Sequence, residues 1–414
     1  MQKNRISLFG YGVTTRAIAK RFGPFTFYDD KVLKPFTDDE GNRVRPTDAF
    51  DPRYSDLEIP SPGMPPQHPL IQNAGHLVSE YDLFLSPLRR PPFTPARRPF
   101  TVWITGTNGK TTTTQMITHL LADKGAVSGG NIGTPLAALD PDAPVWVLET
   151  SSFTLHYTHE AKPDLYVVLP ITPDHLSWHG SEQAYIDDKL GALRQLREGE
   201  AVLLPRAYAE TPTDGFVIPY DNAEELAEYF GFDIEKIRFE GAFLLDALLA
   251  MAVDRLLFDR VDYEKINAFV LDPHRQEELT DARGRLWIND TKATNIDAAL
   301  AAVRRYGDRP MHLIVGGDDK GVDMAPLFEA LQAYDVTLYT IGSNRERLDA
   351  LAERFGIPYE SCDILDEAVR RIDPVHTARS VALLSPACAS LDQFPSYAVR
   401  GDTFKSAVKN LPAD

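Results

Sequence analysis

The chain has 414 residues, of which 43% are hydrophobic and 25% are charged, and its formal net charge is −17. This length exceeds what a single hydrophobic core usually supports, so we expect two or three domains. The negative charge argues against non-specific binding to nucleic acid and against anchoring on an anionic membrane.

The first 96 residues are predicted to form a nucleotide-binding domain. A predicted strand leads through a Gly-x-Gly turn at 10–12 into a helix, and a second strand ends at Asp29 and Asp30. The two glycines let a phosphate approach the backbone, and the acids can accept hydrogen bonds from a ribose or a base. Thr15 replaces the third glycine of the dinucleotide fingerprint, so nicotinamide binding is the weaker interpretation, and an ordinary turn stays open.

A central domain is predicted over 97–272, around the motif Thr-Gly-Thr-Asn-Gly-Lys-Thr-Thr at 105–112. The motif stands between a buried strand and a helix, where backbone N–H groups and the helix dipole point at phosphate. Lys110 would reach the β- and γ-phosphates, and the Thr111 hydroxyl would bind Mg²⁺. The loop is a shortened phosphate loop, because Ile104 stands where the strict pattern has glycine. The alternative is an ordinary Gly/Thr turn.

Three further residues of the central segment indicate chemistry when taken together. Glu149 ends a buried strand, where a carboxylate completes the Mg²⁺ shell in phosphate-loop proteins. His175 follows another strand, and Lys189 lies on a predicted helix. Taken singly, each of the three residues is as well explained by an ordinary solvated or hydrogen-bonded side chain as by a functional role. All three come from the crevice side of one sheet, which favours a metal and nucleotide site.

Residues 273–414 alternate between predicted strands and helices, which predicts a largely parallel sheet with helices on both faces. Polar clusters follow three of its strands, at 289–295, 316–321 and 385–394. They predict a third α/β domain with its own ligand site at the strand ends.

The predicted fold class is therefore α/β with three domains: a Rossmann-like N-terminal domain (1–96), a central P-loop ATPase-type α/β domain (97–272) and a C-terminal Rossmann-like α/β domain (273–414). The proline-rich stretch 87–99 is the predicted linker. The predicted strands cover 5–9, 25–28, 57–59, 100–104, 145–148, 167–172, 286–288, 311–315, 336–341 and 380–384. The predicted helices cover 16–22, 113–122, 185–190, 241–258, 297–306, 324–333, 345–355 and 366–372.

The cysteines and the first residues of the chain are informative about the cellular location of the protein. Cys362 and Cys388 give neither a disulfide framework nor a metal-binding spacing. The N-terminus runs straight into a predicted strand without a signal peptide, and no apolar stretch is long enough to span a bilayer. We expect a cytoplasmic monomer that binds no nucleic acid and does not insert into a membrane.

Nine motifs, in order along the chain, resemble those of the Mur ligases of peptidoglycan precursor synthesis, most closely the branch that adds D-glutamate. They are Gly-Thr-Asn-Gly-Lys-Thr (106–111), Asn-Ile-Gly (131–133), Glu-Thr-Ser-Ser-Phe (149–153), Asp-His-Leu-Ser-Trp-His-Gly (174–180), Asp-Lys-Leu (188–190), His-Arg (274–275), Asn-Asp-Thr-Lys-Ala-Thr-Asn (289–295), Gly-Gly-Asp-Asp-Lys-Gly (316–321) and Leu-Ser-Pro-Ala-Cys-Ala-Ser-Leu-Asp-Gln-Phe (384–394). The resemblance covers all three predicted domains.

The resemblance implies an ATP-dependent ligation. ATP phosphorylates the carboxylate of UDP-N-acetylmuramoyl-L-alanine, the D-glutamate amine attacks the acyl phosphate, and a tetrahedral intermediate gives the amide, ADP and phosphate. A sister Mur-type or folylpolyglutamate-type ligase with another amino acid is the alternative. A P-loop NTPase switch or a non-catalytic nucleotide-binding module is disfavoured, because it needs neither Lys189 nor the polar strand ends of the third domain.

The resemblance also implies the site residues. Thr111 and Glu149 would bind the first of two Mg²⁺ ions, His175 would join the second, and Lys189 holds the position that is carbamylated in the family. The implied catalytic residues are Lys110, Glu149, His175, Lys189 and Lys320. The implied ATP-binding residues are Thr107, Asn108, Gly109, Lys110, Thr111, Thr112, Asp246, Arg275 and Asp290. The implied UDP-substrate residues are Gly12, Val13, Thr14, Asp29, Asp30, Gly63, Asn131 and Ser151. The implied D-glutamate residues are His175, Thr294, Lys320, Ser390, Leu391 and Tyr397. Asp246 stands where the family usually has asparagine, and Lys31 where it often has arginine.

Overall fold

The computed structural model describes residues 5–88 and 90–413. It contains three separate sheets flanked by helices, which confirms the predicted α/β class. The described chain divides into two compact units: residues up to Ile171 together with Trp178–Phe269, and Thr172–Ser177 together with the residues from Val270 on. The first two sheets lie in the first unit and the third lies in the second. The domain boundaries at 96/97 and 272/273 stay predictions, and Arg89 of the predicted linker lies outside the described residues.

The N-terminal sheet has the strand order β3-β4-β2-β1-β5, with only the β3–β4 pair antiparallel among the pairings described. Helix α1 begins three residues earlier than predicted. The Thr15 hydroxyl closes its first turn, because it accepts from Gly12 N at 3.2 Å and donates to Gly10 O at 2.6 Å. The elements are β1 (Ile6–Phe9), α1 (Val13–Phe22), β2 (Thr26–Tyr28), β3 (Phe36–Thr37), β4 (Arg43–Arg45), β5 (Leu57–Pro60), α2 (Pro69–Gln72) and α3 (Glu80–Leu85).

The central sheet is parallel in every pairing described, in the order β11-β10-β9-β6-β8-β7. The strand predicted over 167–172 is wrong in extent: it ends at Val168, since Pro170 has no N–H to donate to a neighbouring strand. The elements are β6 (Phe100–Thr105), α4 (Lys110–Leu120), β7 (Ala126–Gly130), β8 (Val145–Glu149), α5 (Ser152–His156), β9 (Leu165–Val168), α6 (Leu176–His179), α7 (Glu182–Leu190), β10 (Ala201–Pro205), β11 (Phe216–Tyr220), α8 (Ala223–Phe230), α9 (Ala242–Phe258) and α10 (Tyr263–Ala268).

The C-terminal sheet has the order β12-β13-β17-β14-β15-β16, parallel except for β12. Two buried apolar clusters flank it, one with α11–α13 and one with α14 and α15, so helices cover both faces as predicted. The sequence did not predict β12, β16 or α15. The elements are β12 (Glu277–Thr280), β13 (Leu286–Asn289), α11 (Ile296–Tyr306), β14 (Met311–Gly316), α12 (Ala325–Leu331), β15 (Val336–Ile341), α13 (Arg345–Phe355), β16 (Tyr359–Asp363), α14 (Leu365–Ile372), β17 (Val381–Leu384) and α15 (Tyr397–Lys409).

The buried cores explain why these segments fold as they do. Val102, Trp103 and Ile104 of β6 are fully buried, as a continuous apolar strand covered on both faces requires. The long helix α9 is buried over most of its length and packs on α4, the helix that follows the phosphate-loop motif. Across residues 5–88 and 90–413, none of the helices has the length and apolar character needed to cross a membrane.

Candidate active site

The phosphate-loop motif adopts the predicted strand–turn–helix geometry between β6 and α4. Gly106 and Gly109 have φ values of +129° and +83°, in the region that favours glycine. A Cβ on Gly106 would lie 2.4 Å from Leu169 Cβ, and a Cβ on Gly109 would lie 2.4 Å from Asp246 Oδ1. Both positions therefore require glycine. Helix α4 begins at Lys110, so its N-terminal N–H groups and dipole face the turn.

Two lysine ammonium groups meet at one carbonyl oxygen of this loop. Lys110 Nζ donates to Gly106 O at 3.0 Å and to Thr107 O at 2.7 Å. Lys189 Nζ, on α7, donates to the same Gly106 O at 2.6 Å and lies 4.6 Å from the centroid of the Tyr185 ring. Lys189 is only 1% exposed. Positive charge is therefore concentrated at the turn, which suits a phosphate ligand.

The predicted magnesium residues of the central sheet are in direct contact. Glu149 ends β8, next to β6, and is buried. Thr111 Oγ1 donates to Glu149 Oε2 at 2.8 Å, and Asn131 Nδ2 donates to Glu149 Oε1 at 2.6 Å. The structure thus joins Thr111 and Glu149 as predicted. It also places Asn131, predicted at the diphosphate, on the same carboxylate.

Tyr81 is a contact of Glu149 that the sequence did not predict. Its hydroxyl donates to Glu149 O at 3.3 Å, and its ring packs edge-on against Trp103 of β6, with the centroids 4.8 Å apart. Tyr81 belongs to α3, which follows the N-terminal sheet, and it is buried. Since 68 residues separate the partners, no local sequence signal identifies this contact.

The other ATP-binding residues predicted in the first unit surround the turn. Thr107 Oγ1 lies 3.1 Å from the Tyr185 hydroxyl, and Thr113 Oγ1 donates to Asp246 Oδ1 at 3.0 Å. Asp246 is buried on α9 beside Gly109, so it lies at the loop. Asn108 is half-buried and Thr112 is buried.

A network of histidines orients helix α7. Asp188 Oδ2 lies 2.7 Å from His179 Nδ1, and Asp188 Oδ1 lies 3.0 Å from His156 Nδ1. The other nitrogen of His179, Nε2, lies 3.0 Å from Ser152 Oγ. Burial alone would raise the pKa of Asp188, but the hydrogen bonds from both histidines lower it below its ordinary value. Asp188 precedes Lys189, so the network fixes the helix that carries that lysine. The sequence contained a signal for the contact between His179 and Asp188, because each of them belongs to one of the nine motifs (174–180 and 188–190).

Residues 172–177 are grouped with the second compact unit, and His175 lies there in the left-handed region with φ +54°. Its backbone N donates to Asp174 Oδ1 at 2.8 Å, and Lys320 Nζ lies 3.2 Å from the same oxygen. Burial alone would raise the pKa of Asp174, but the charges of Lys320 and His175 lower it. Asp174 is thus an ion-pair partner of Lys320 that the sequence analysis assigned no role.

The predicted UDP-substrate residues lie at the carboxyl ends of β1, β2, β5 and β7 and at the N-terminus of α5. Asp29 Oδ2 accepts from Tyr11 N at 2.7 Å, and Asp30 Oδ2 lies 2.8 Å from His68 Nε2. Gly63 O accepts from Trp178 Nε1 at 3.1 Å. Ser151 caps the N-terminus of α5. Gly12, Val13 and Thr14 form the start of α1, with the Val13 side chain exposed.

Asp290, Thr294, Lys320, Ser390 and Leu391 follow the ends of β13, β14 and β17, which are neighbours in the C-terminal sheet, whereas Arg275 precedes β12 and Tyr397 begins α15. Asp290 is buried, accepts from Ser385 Oγ at 2.8 Å, and has its pKa raised to about 7 by burial. Ser390 is buried, whereas Leu391 is 71% exposed. Arg275 and Thr294 are half-buried, and the Tyr397 ring lies 4.0 Å from Lys292 Nζ.

No group of three or more His, Cys, Asp or Glu side chains in the described part of the chain is arranged to hold a metal ion. The predicted first site consists of one carboxylate and one hydroxyl, Glu149 and Thr111. These are oxygen ligands of the kind that Mg²⁺ prefers, and Mg²⁺ commonly takes its remaining ligands from water and substrate phosphates. The donor set therefore fits that ion.

Comparison with known proteins finds two family models. The Mur ligase middle domain matches residues 104–212, and the Mur ligase glutamate ligase domain matches residues 274–388. The UDP-N-acetylmuramoylalanine--D-glutamate ligase of Campylobacter jejuni (strain 81-176) is 52% identical over 98% of this chain and 100% of its own length. The enzyme of that name from Helicobacter pylori (strain 26695) is 44% identical over 98% and 99%. Among solved structures, the MurF ligase of Thermotoga maritima in complex with ADP has a TM-score of 0.59 at 15% identity, over 98% of this chain and 97% of that one, a likeness of fold.

Proposed function

Because the chain belongs to the UDP-N-acetylmuramoylalanine--D-glutamate ligase family of the Mur ligases, we propose that it joins D-glutamate to UDP-N-acetylmuramoyl-L-alanine at the expense of ATP. The observation that carries the proposal is the Gly106 turn, where Lys110 Nζ donates to Gly106 O beside the Thr111–Glu149 pair. An ATP-dependent ligase needs such a turn for the triphosphate and an oxygen-ligand pair for its metal.

The proposed reaction has two chemical steps. A carboxylate oxygen of UDP-N-acetylmuramoyl-L-alanine takes the γ-phosphoryl group, and the bond from that phosphorus to the β-phosphate oxygen breaks, which releases ADP. The amine of D-glutamate then attacks the acyl carbon, phosphate leaves with the electron pair of the C–O bond, and the amine loses one proton. Both steps bring anions together, so the protein must supply cations and fixed donors around the reacting oxygens.

We assign those cations and donors to the residues of the phosphate loop and its neighbours. Lys110 would hold the γ-phosphoryl group, supported by its position at the start of α4. Thr111 and Glu149 would hold a first Mg²⁺, which when bound screens the repulsion between the triphosphate and the incoming carboxylate. His175 and a carbamylated Lys189 would serve a second Mg²⁺. A carbamate changes the lysine from a cation into an anionic oxygen ligand.

The remaining assignments follow the family. We propose that Asp246, Arg275 and Asp290 contact the adenosine, and that Lys320 pairs with a carboxylate of D-glutamate near Thr294 and Ser390. Leu391 and Tyr397 would complete that pocket. The uridine and diphosphate would bind at the residues predicted in the N-terminal sheet, together with Asn131 and Ser151. The cytoplasmic location, the monomeric state and the lack of nucleic-acid partners remain part of this proposal.

The test is phosphate release from ATP in the presence of Mg²⁺ and UDP-N-acetylmuramoyl-L-alanine. D-glutamate, L-glutamate, L-alanine, L-lysine and meso-diaminopimelate are supplied separately, and the product is identified by mass. Release that requires D-glutamate is the expected result. Release only with another amino acid would transfer the chain to a sister activity. Absence of release with all five would overturn the ligase assignment itself.

A further inference from the structure

Arg400 is a buried arginine on the first turn of α15, with 1% of its surface exposed. Its guanidinium donates in several directions. Nε donates to Thr291 Oγ1 at 2.9 Å, and Nη2 donates to Thr291 O and to Cys388 O, both at 3.0 Å. Nη1 makes a longer bond of 3.4 Å to Ala389 O. The side chain therefore spans two separate loops of the C-terminal sheet.

These two loops carry the amino-acid pocket proposed above. Thr291 lies in the polar cluster 289–295 after β13, three residues before Thr294. Cys388 and Ala389 lie in the cluster 385–394 after β17, directly before Ser390. The loops follow neighbouring strands, and Ser385 Oγ donates directly to Asp290 Oδ2 between their first residues at 2.8 Å. Arg400 donates to both loops further along, at Thr291 O and Cys388 O.

The environment of Arg400 is unusual for a buried arginine. All four acceptors are neutral, and none of the carboxylates in the described ranges forms an ion pair with it. Burial lowers the pKa of Arg400 to about 10, so the group keeps its charge at neutral pH. Burying a charge without an ion pair is costly, and here that cost is offset by hydrogen bonds to oxygens of two loops. Arg400 therefore holds these oxygens in place, a task that an apolar side chain could not perform.

Arg285 provides an internal reference in the same compact unit. It is also buried, but it pairs with Asp281 Oδ2 at 2.7 Å and with Asp373 Oδ1 at 2.6 Å. It directly precedes β13, so it lies at the amino edge of the C-terminal sheet, whereas the loops held by Arg400 lie at the carboxyl edge. Arg285 therefore serves as a control for a buried, ion-paired arginine that does not contact the loops held by Arg400.

Packing next to Arg400 leaves little room for the loops to move. A Cβ on Gly401 would lie 2.3 Å from His274 Nδ1 and 2.7 Å from Thr291 Cγ2. Thr291 Oγ1 also donates to Tyr397 O at 3.1 Å, on the same turn of α15. The start of α15 is therefore a direct support for the loop after β13.

We infer that Arg400 is a positioning residue for the amino-acid substrate: it ties the loop of Thr294 to the loop of Ser390 and so fixes the pocket between two strand ends. The inference rests on the proposed function, because it concerns the affinity for the amino acid in that reaction. It predicts a larger effect on KM for D-glutamate than on KM for ATP, to which the same loop would contribute only Asp290.

The experiment compares Arg400→Lys, Arg400→Met and the matched control Arg285→Lys in the phosphate-release assay. Lysine keeps the charge but loses the multiple donors, so we expect KM for D-glutamate to rise about tenfold. KM for ATP should rise less, by about threefold at most, because only Asp290 of the held loops is proposed to contact adenosine. Methionine should have at least as large an effect. Arg285→Lys should lower the melting temperature and leave both KM values unchanged.

Several results would overturn the inference. An unchanged KM for D-glutamate in Arg400→Lys would exclude the tie between the loops, and an equal rise in both KM values would reduce Arg400 to general structural support. If neither Arg400 variant folds, Thr291→Val decides, because it removes the hydroxyl that links α15 to the loop. It should raise KM for D-glutamate about threefold, and no change would count against the inference.

The result with the wild-type protein shows whether a failure concerns this inference or the proposed function. If wild type releases phosphate with D-glutamate and the Arg400 variants match it, only the positioning role fails. If wild type does not use D-glutamate, the proposed function fails and the inference fails with it.

Discussion

The carboxyl edges of the central and C-terminal sheets hold their lysines in different ways. At the central sheet, the described hydrogen bonds of Lys110 and Lys189 go to backbone carbonyls of the phosphate loop. In the second unit, Lys320 forms an ion pair with Asp174. A phosphate is a stronger partner for an ammonium group than a neutral carbonyl, whereas a substrate carboxylate must compete with a carboxylate already in place. Under the proposed assignments, the comparison teaches that a nucleotide phosphate would add a stronger partner to Lys110, whereas an amino-acid carboxylate would have to displace Asp174 from Lys320.

The largest expected effect is that of Lys110→Ala at the central edge. Loss of the ammonium group that would hold the transferring phosphoryl group should lower kcat by about 10²- to 10³-fold. The measurement is phosphate release at saturating substrates. Lys124→Ala is the matched control, since Lys124 lies beyond the far end of the same helix and pairs with Asp123. A kcat within tenfold of wild type would remove Lys110 from the transfer step.

A second test at the central edge is Lys189→Ala with added short carboxylic acids. If Lys189 acts as a carbamate, the variant should lose most activity, by about 10²-fold. Formate or acetate should partly restore kcat, because a carboxylate in the vacated space replaces the missing oxygen ligand. Lys110→Ala with the same acids is the control and should show no recovery. An active Lys189→Ala enzyme, or an inactive one that no acid rescues, would contradict the carbamate role.

At the C-terminal edge, Lys320→Met should raise KM for D-glutamate about tenfold or more and leave KM for ATP unchanged. The reason is that methionine keeps an unbranched, flexible side chain but removes the cation proposed to pair with the amino acid. Lys405→Met, which removes another ion-paired lysine of the same unit, should leave both constants unchanged. An equal KM for D-glutamate in Lys320→Met and wild type would contradict the proposed difference between the two sheet edges.

The smallest expected effect concerns stability, through Asp290. Burial raises its pKa to about 7 in the folded protein, against an ordinary value of 3.8. The folded state therefore binds a proton that the unfolded state releases, so this group's contribution is present below about pH 4 and is lost as pH rises to about 7. Wild type should lose about 2.5 kcal/mol of unfolding free energy between pH 5 and 8 from this group.

The variant Asp290→Asn removes that titration and is expected to lack this part of the pH dependence. The measurement is urea unfolding at pH 5 and pH 8, with Asp308→Asn, which alters an exposed acid of the same unit, as the control. Parallel pH profiles for wild type and Asp290→Asn would show that Asp290 is not the titrating group.

Much of the fold follows from local patterns. The apolar run before Gly106 predicted β6, and the helical spacing after it predicted α4, because both patterns concern residues close in sequence. The short or irregular elements were missed. Strand β12 pairs antiparallel at a sheet edge with alternating exposure, and β16 contains few apolar residues, so neither carries a strong periodic signal. The early end of β9 shows that proline overrides an apolar run.

The sequence by itself determined the phosphate loop with Lys110 and Thr111, and it placed Glu149 at the end of β8. The reason is that few residue types other than glycine, lysine, hydroxyl and carboxylate residues can bind phosphate or a metal ion at a strand end. The contact between Thr111 and Glu149 followed from parallel strand order. Only the tertiary structure decided which residues support these groups. Tyr81 at the Glu149 carbonyl, Asp174 beside Lys320 and Arg400 between two loops join partners far apart in the chain. Such pairings depend on how sheets and helices pack, and packing leaves no regular spacing in a single sequence.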